Sequence, residues 1–366
     1  MTDNVRESVL VTGASGFIAM HTILQLLEAG YDVVGSLRSP ARGPQVIATL
    51  GRAAGPLLDV ARRVRLCEAN LESDAGWADA VAGCGYVIHV ASPVPRELPK
   101  HPDALIVPAR DGTLRVLRAA ADAGVRRVVM TSSIAAIVYG HARDGSRIYD
   151  ESDWTDAIDE VGPYERSKTI SEHAAWAFID SLSRGTRPEL VVINPGVVLG
   201  PILDEHFSPS DLLVKALLSK ELPGCPNFGW ALVDVRDVAA AHVRALTAPE
   251  AAGQRVIVAL PHVSMLELAQ MLERHFGPLG FTVPTRRIPD WVVKALALVS
   301  KPMSLAVREL GKRQDVSSER ARKLLAWTPR PLEETLHDTG HSMLEHGVIA
   351  PGRRGTRFIE LLRAGS

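Results

Sequence analysis

The chain has 366 residues, 46% of them hydrophobic and 23% charged, with 41 Lys+Arg against 42 Asp+Glu. That apolar fraction excludes global disorder, and the balanced charge supplies no field to gather nucleic acid or an anionic membrane surface. Cys67, Cys84 and Cys225 stand far apart without a CxxC pair, which excludes a disulfide scaffold and a cysteine zinc site.

Ser8 to Thr12 is a short apolar run that predicts a first strand, and Phe17 to Ala29 predicts a helix stopped at Gly30. Tyr31 to Leu37, Arg63 to Glu68, Tyr86 to Val90, Arg127 to Thr131 and Leu190 to Ile193 read as further strands. Helices at Asp74 to Ala82 and Asp111 to Ala123, each followed by a glycine, fall between them. Near-continuous apolar strands alternating with helices predict a parallel sheet covered on both faces. Beyond Pro195 prolines recur and the segments shorten. Asp211 to Lys220, Arg236 to Leu246, Ser264 to Phe276, Trp291 to Val299, Ser318 to Leu325 and Leu332 to His346 read as helices there, and Gln254 to Leu260 as a strand.

The expected fold class is α/β, a doubly wound parallel sheet of the Rossmann kind. It spans residues 1–200, with sheet and helix returns from 230–260. A smaller, mostly helical substrate lobe follows over 201–350, then a basic tail over 351–366 read as a weakly held helix. No apolar run approaches the roughly 20 residues of a membrane span. The polar start, Met1 to Ser8, lacks the basic region and cleavage site of a secretory signal, so a soluble, cytoplasmic protein is expected.

The segment Thr12-Gly-Ala-Ser-Gly-Phe-Ile-Ala19 joins the first strand to the first helix. Gly13 permits a tight turn, Gly16 lets backbone approach a pyrophosphate, and Ala19 keeps the helix close to the sheet. The helix start, with Ser15, Phe17 and Ile18 around it, offers free N–H groups and the positive dipole end to phosphates. A dinucleotide is therefore expected here. At the end of the second strand an acidic residue would bind the ribose 2′-hydroxyl of NAD. This chain instead has Gly35-Ser-Leu-Arg38, followed by Arg42. A guanidinium suits a 2′-phosphate, so the expected cofactor is NADP(H).

Of the five tyrosines only Tyr164 is followed four residues later by a lysine, Lys168. On a helix that spacing puts both on one face. A neighbouring cation lowers the pKa of a phenol from about 10, which would make Tyr164 a usable acid–base. Thr131-Ser-Ser133 falls at the carboxyl end of the fifth strand, the edge at which open parallel sheets bind ligands. A serine hydroxyl there can bind a substrate carbonyl.

Together these motifs resemble the extended short-chain dehydrogenase/reductase superfamily, and within it the dihydroflavonol 4-reductase and aldehyde reductase group. The resemblance rests on VTGASGFIA, Arg38, His89-Val-Ala-Ser-Pro93, VRRVVMTSS at Val125 to Ser133, and Tyr164-Glu-Arg-Ser-Lys168. INPGVVLGP at Ile193 to Pro201, VDVRDVAAAH at Val233 to His242 and Trp327-Thr-Pro-Arg330 extend it over about residues 8–345. It implies that Tyr164 is the acid–base, that Lys168 lowers its pKa and binds the nicotinamide ribose, and that Ser133 rather than Ser132 orients the carbonyl. It also implies that Val90, Ala91, Ser92, Thr131, Pro195, Gly196 and Val197 line the cofactor. Asn70 and Leu71 would touch adenine, with Asn70 standing where the family often has Asp. Asp237 is read as a helix cap.

The expectation is an NADPH-dependent reductase of an aldehyde or ketone, without metal, working as a monomer or a homodimer. A dimer would pair helices near Asp111 to Ala123 and Glu165 to Ser183. Flavonoid reduction is not expected, because Ile134 to Val138, just after the serine, is apolar where the plant enzymes carry a polar reader. The substrate is read as neutral and largely apolar, aromatic groups included. Its mouth is placed at Val94 to His101 and Leu203 to Leu213, with His206 and Phe207 read as surface residues. Trp154 and Trp230 are read as aromatic walls or as core. The same residues would serve oxidation of a secondary alcohol of the hydroxysteroid type. A non-catalytic NADP-binding sensor is the reading from another class, and it has no need of the intact Ser133, Tyr164 and Lys168.

Overall fold

The structure, a computed structural model, describes residues 6–56, 58–93, 101–156, 161–183, 185, 187–205, 208–298 and 306–350. The expectations for residues 94–100, His206, Phe207, the last residue of the Trp291 to Val299 helix and the tail 351–366 lie outside the described residues.

In chain order the first half runs β1 (Ser8–Val11), α1 (Phe17–Glu28), β2 (Asp32–Leu37), α2 (Gly43–Ala54), α3 (Val60–Arg63), β3 (Val64–Glu68), α4 (Trp77–Val81), β4 (Cys84–His89), α5 (Asp103–Asp122), β5 (Arg127–Thr131), α6 (Pro163–Ser181) and β6 (Glu189–Pro195). The second half runs β7 (Val197–Leu199), α7 (Asp211–Leu218), β8 (Gly229–Asp234), α8 (Val235–Ala245), β9 (Arg255–Val258), β10 (His262–Ser264), α9 (Met265–Phe276), α10 (Asp290–Leu296), α11 (Glu319–Leu325) and α12 (Leu332–Glu345).

Seven strands form one parallel sheet in the order β3-β2-β1-β4-β5-β6-β9. The chain moves outward from β1 to β3, then crosses back to β4 on the other side of β1. That reversal opens a crevice at the carboxyl ends of β1 and β4, where sheets of this topology bind ligands. Successive residues of β1 feed opposite faces: Val9 and Val11 join Ile23, Leu26 and Val238 in one core, and Leu10 joins Val87, Leu117 and Val128 in the other. Burial on both faces is why these strands read as continuous apolar runs rather than alternating ones. A third core in the later half gathers Leu217, Leu268, Phe276, Leu336 and Met343 from α7, α9 and α12. Among the described residues no helix is long and apolar enough to cross a membrane.

Some elements differ from the expectation. Helix α5 starts at Asp103 rather than Asp111 and carries Pro108 inside it. Proline removes a backbone donor and crowds the preceding turn, so its presence reads as a break. The helix continues because Leu105, Ile106 and Ala109 on its first turns are buried. Helix α2 was not expected. It opens on Gly43-Pro44, which reads as a loop, but Val46, Thr49 and Leu50 bury one face. A second, three-stranded sheet, β10-β8-β7, was also not expected, since two of its strands have only three residues.

Asp237 does not cap α8. The cap is Asp234, whose side chain accepts the N–H of Arg236 at 2.8 Å. Asp237 lies three residues on, still in the first turn of the helix. Its carboxylate accepts the Arg330 N–H at 2.7 Å and pairs with the Arg330 guanidinium, while Trp327 Nε1–H donates to its carbonyl at 3.0 Å. The Trp327–Arg330 signature is thus a clamp that holds the start of α12 against α8. Trp154 and Trp230 both serve packing. Trp154 lies between the His173 ring and the Arg255 guanidinium, and Trp230 meets Phe228 edge-on beside the third core.

Candidate active site

A cleft of about 790 Å³ runs along the carboxyl ends of β1, β2, β4, β5 and β6. Every residue expected to hold the cofactor or act on substrate lines it.

Its first section is the turn between β1 and α1. Gly13 has φ +70, and a Cβ there would sit 3.1 Å from the Cβ of Ala91, so only glycine fits both the backbone and the neighbouring strand end. The turn is tied to β2: Gly13 N–H donates to Ser36 Oγ at 3.1 Å and Ala14 N–H to the Ser36 carbonyl at 2.9 Å. Gly16 begins α1 with no side-chain cap and no acidic residue in the first turn. Nothing in the helix's own first turn therefore competes with an anion, and its amide groups face the cleft beside Ser15, Phe17 and Ile18.

Arg38 and Arg42 line the same section just past β2, and among the described residues neither has a carboxylate partner. Two unpaired guanidiniums beside a phosphate-shaped turn suit a further phosphate. Asn70 and Leu71 line the next section. Asn70 Oδ1 accepts the Glu72 N–H at 3.1 Å, and Trp77 Nε1–H donates to the Asn70 carbonyl at 3.1 Å. The Asn70 side chain is therefore fixed by its own turn, and its amide nitrogen is the group left for a base.

Val90, Ala91 and Ser92 extend from β4 over the cleft. A buried chain beneath them sets the height of that segment. Ala91 N–H donates to Thr12 Oγ1 at 3.0 Å, Thr12 Oγ1 meets His89 Nδ1 at 2.9 Å, and His89 Nε2 meets Thr113 Oγ1 at 3.4 Å. Thr113 donates its own proton to the Ala109 carbonyl. The pattern closes only if His89 is neutral with its proton on Nε2. Burial agrees, pushing the His89 pKa down to about 3. On the opposite wall Pro195, Gly196 and Val197 leave β6 for β7, and a Cβ at Gly196 would collide with the Ala231 carbonyl of β8 at 2.3 Å.

The reacting end gathers Ser133, Tyr164 and Lys168. Ser133 sits in extended backbone before a short turn, Ile134–Ala136, and its Oγ accepts the Ala135 N–H at 3.1 Å. Its hydroxyl stands near enough to the Tyr164 phenol to favour the ionised form of that phenol. Tyr164 is in the first turn of α6. It lines the cleft and is 36% exposed. The lysine was expected to lower the phenol pKa. Instead burial raises it, Ser133 pulling the other way, and the Lys168 ammonium stands over the ring, 5.9 Å from its centroid. Burial lowers Lys168 to about 8, with Glu172 opposing that shift, so the amine stays protonated at neutral pH. A phenol held in its protonated form is a ready proton donor.

The neighbouring serine has a different task. Ser132 is 3% exposed and its Oγ–H donates to Glu172 Oε2 at 2.6 Å. Glu172, fully buried one turn after Lys168, also accepts from Asn194 Nδ2 at 2.9 Å and from Arg255 Nε at 2.6 Å. Asn194 in turn donates to the Ser133 carbonyl at 3.2 Å. Arg255 holds the Glu151 and Asp153 carbonyls. This buried ion pair ties β5, β6, β9 and α6 together directly beneath Ser133. Thr131 is held by a second buried histidine: its Oγ1 meets His242 Nε2 at 2.6 Å, and His242 Nδ1 meets the Val238 carbonyl at 2.7 Å.

At the far end of the cleft the stretch expected at the substrate mouth, Leu203 to Leu213, contributes Ser208, Pro209 and Ser210, whereas Tyr139 and Gln314 were missed. Of the apolar stretch after the serine only Ile134 and Ala135 line it, and Ile137 and Val138 turn into the core. Tyr139, Ser208, Pro209, Ser210 and Gln314 line it instead. Ser208 is pinned by Asp211, whose Oδ2 accepts both its N–H and its hydroxyl. Nothing near Tyr139 or Gln314 in the sequence signals this, since the two are brought together only by the later lobe.

Comparison with known proteins agrees with this geometry. A family model described as the NAD dependent epimerase/dehydratase family matches residues 9–259. Cinnamoyl-CoA reductase 1 of Petunia hybrida is 35% identical over 286 residues, covering 76% of this chain and 80% of the relative. The NADPH-dependent methylglyoxal reductase GRE2 of Saccharomyces cerevisiae is 32% identical over 357 residues, covering 92% and 98%. Among solved structures, yeast methylglyoxal/isovaleraldehyde reductase Gre2 complexed with NADPH superposes with a TM-score of 0.76 at 27% identity, covering 93% of this chain and 99% of that one.

Proposed function

The chain belongs to the NAD dependent epimerase/dehydratase family, and within it we propose an NADPH-dependent reductase of aldehydes or ketones. One observation carries the reading: a tyrosine beside a serine and a lysine shares a single cleft with an uncapped helix start and two arginines that have no carboxylate partner among the described residues. The relatives named as reductases, and a structural neighbour solved with NADPH, support it.

On this reading the amide groups of the α1 start hold the pyrophosphate, with Gly13 and Gly16 leaving room for it. Arg38 and Arg42 take the 2′-phosphate. Asn70 and Leu71 meet adenine, and Val90, Ala91, Ser92, Thr131, Pro195, Gly196 and Val197 line the rest of the cofactor's path. Lys168 holds the nicotinamide ribose. When bound, the reduced nicotinamide supplies the hydride.

The protein supplies the proton and the field. Ser133 and Tyr164 hydrogen-bond the substrate carbonyl oxygen, and as negative charge grows on that oxygen Tyr164 hands over its proton. Lys168, charged beside the ring, stabilises the phenolate left behind, and solvent returns the proton. The substrate is a small carbonyl compound whose reacting end meets the apolar wall of Ile134 and Ala135. The enzyme works as a monomer or a homodimer in the cytoplasm.

The test follows NADPH consumption with a panel of aldehydes and ketones, and in parallel NADP⁺ reduction with secondary alcohols. Carbonyl-dependent NADPH consumption is expected. Cofactor binding without turnover in either direction would overturn the reading in favour of a sensor.

A further inference from the structure

The substrate end of the cleft holds a polar pair, Tyr139 and Gln314, in a wall that the sequence marks as apolar. Gln314 is 4% exposed and its amide has one possible orientation. Its Oε1 accepts the Ala231 N–H of β8 at 3.2 Å, and a backbone N–H can only donate. Its Nε2 therefore points to Tyr139, donating to Oη at 3.1 Å. Its backbone is fixed too, since Gln314 N–H donates to His262 Nδ1 at 3.0 Å.

Tyr139 is equally constrained. Its ring is covered by the Arg143 guanidinium, 4.2 Å from the centroid, and Arg143 is itself gripped by both oxygens of Glu309 at 2.7 and 3.0 Å. Its N–H donates to Thr155 Oγ1 and its carbonyl accepts the Asp156 N–H. Because Gln314 donates to the phenol oxygen, the phenol keeps its own proton to give. Among the described residues no acceptor takes that proton, and Tyr139 lines the cleft that Ser133 and Tyr164 line. The result is a rigid, oriented O–H donor in the same cavity as the reacting groups.

We propose that Tyr139, held by Gln314, is a specificity-determining residue that hydrogen-bonds a second oxygen of the substrate, so the preferred substrates are carbonyl compounds bearing a further hydrogen-bond acceptor such as a ketone, ester or ether oxygen. This deepens the carbonyl reductase reading and rests on it. An alkyl ketone entering the cleft would leave the donor unmatched, and a site built to pair a polar group discriminates against analogues that lack the partner.

The experiment compares ketones carrying an oxygen two, three or four bonds from the reacting carbon with isosteric alkyl ketones, for example ethyl 3-oxobutanoate against 2-heptanone. For each pair the ratio of kcat/KM is measured in wild type, Tyr139→Phe and Gln314→Leu. Taking the variant ratio over the wild-type ratio cancels the intrinsic reactivity of each ketone. Wild type should favour at least one oxygenated member, and Tyr139→Phe should reduce that preference about tenfold, the size of one hydrogen bond. Gln314→Leu, which frees the phenol to turn, should reduce it in the same direction and decides the matter if the first variant fails to fold, as judged by its melting curve. Ratios equal to wild type in both variants would overturn the inference and leave the reductase reading standing. A wild type that reduces neither member of any pair would overturn both.

Discussion

The cofactor end of the cleft is made from segments that continue straight out of neighbouring parallel strands, β1 into Gly13, β2 into Arg38 and β4 into Ala91. The substrate end draws Tyr139 from beyond the serine turn, Ser208 from the approach to α7, and Gln314 from a segment more than a hundred residues further on. The first end binds with backbone: free amides, a glycine at φ +70 and a helix start with no cap of its own. The second binds with side chains whose orientation depends on partners elsewhere, as Gln314 depends on Ala231 and His262. Backbone sites tolerate little change in the chain that forms them, while side-chain sites can be retuned by a substitution far away. The seam between the two is Ser133, Tyr164 and Lys168, supported from below by the Glu172–Arg255 ion pair.

Breaking the seam should have the largest effect. Tyr164→Phe removes the proton donor and keeps the ring, so kcat should fall by about 10²–10⁴-fold while NADPH titrated by fluorescence binds with nearly unchanged affinity. A variant retaining most of its turnover would remove Tyr164 from the chemistry. Glu172→Ala would leave the Arg255 charge buried without a partner. Loss of one member of a buried pair costs about 3–5 kcal/mol, to be read from denaturant unfolding. A change below 1 kcal/mol would mean that the network does not support the seam.

Substitution at the cofactor end should be milder and selective. Arg38→Ala removes a charge-assisted contact of about 1.5–3 kcal/mol, so NADPH affinity should fall roughly 10- to 100-fold and NADH affinity by far less. Equal losses for both cofactors would place the 2′-phosphate elsewhere.

A pH effect on stability rather than on activity is spread over buried histidines of the fold. Burial depresses His89 to about 3 and His21 and His242 to about 4. The unfolded chain therefore binds protons that the folded chain refuses as pH falls from about 6.5 towards 4. Stability should decline across that window by up to about 1.4 kcal/mol per pH unit for each histidine, and be fully present above it. Denaturant midpoints at a series of pH values test this, and His242→Gln should flatten the slope. An unchanged slope in that variant would show that His242 is not the titrating group.

How much of this was legible in the sequence follows the same division. The Gly13 to Ala19 turn, Arg38 and the Tyr164–Lys168 pair are short, contiguous patterns whose chemistry is local, and the parallel sheet follows from strands apolar on both faces. The three-stranded second sheet was not legible, since β7 and β10 have only three residues each and take their form from pairing with β8. Nor was the Tyr164 pKa. Spacing places a cation near the ring, but burial, which spacing does not report, sets the direction of the shift. Tyr139 and Gln314 carried no signal because a phenol and an amide have no function until packing brings one to the other. Asp237 was misassigned for a related reason: its position in the first turn of α8 reads as a cap, while its partner Arg330 lies in a distant segment.

The central claim is that hydride passes to a carbonyl within this cleft with Tyr164 as the proton source. It is tested most directly by supplying NADPH deuterated at the transferable C4 position and analysing the alcohol by mass spectrometry. One deuterium at the former carbonyl carbon is expected in wild type, with product nearly absent in Tyr164→Phe at the same bound cofactor. Alcohol formed without the label, or formed equally by both proteins, would contradict it.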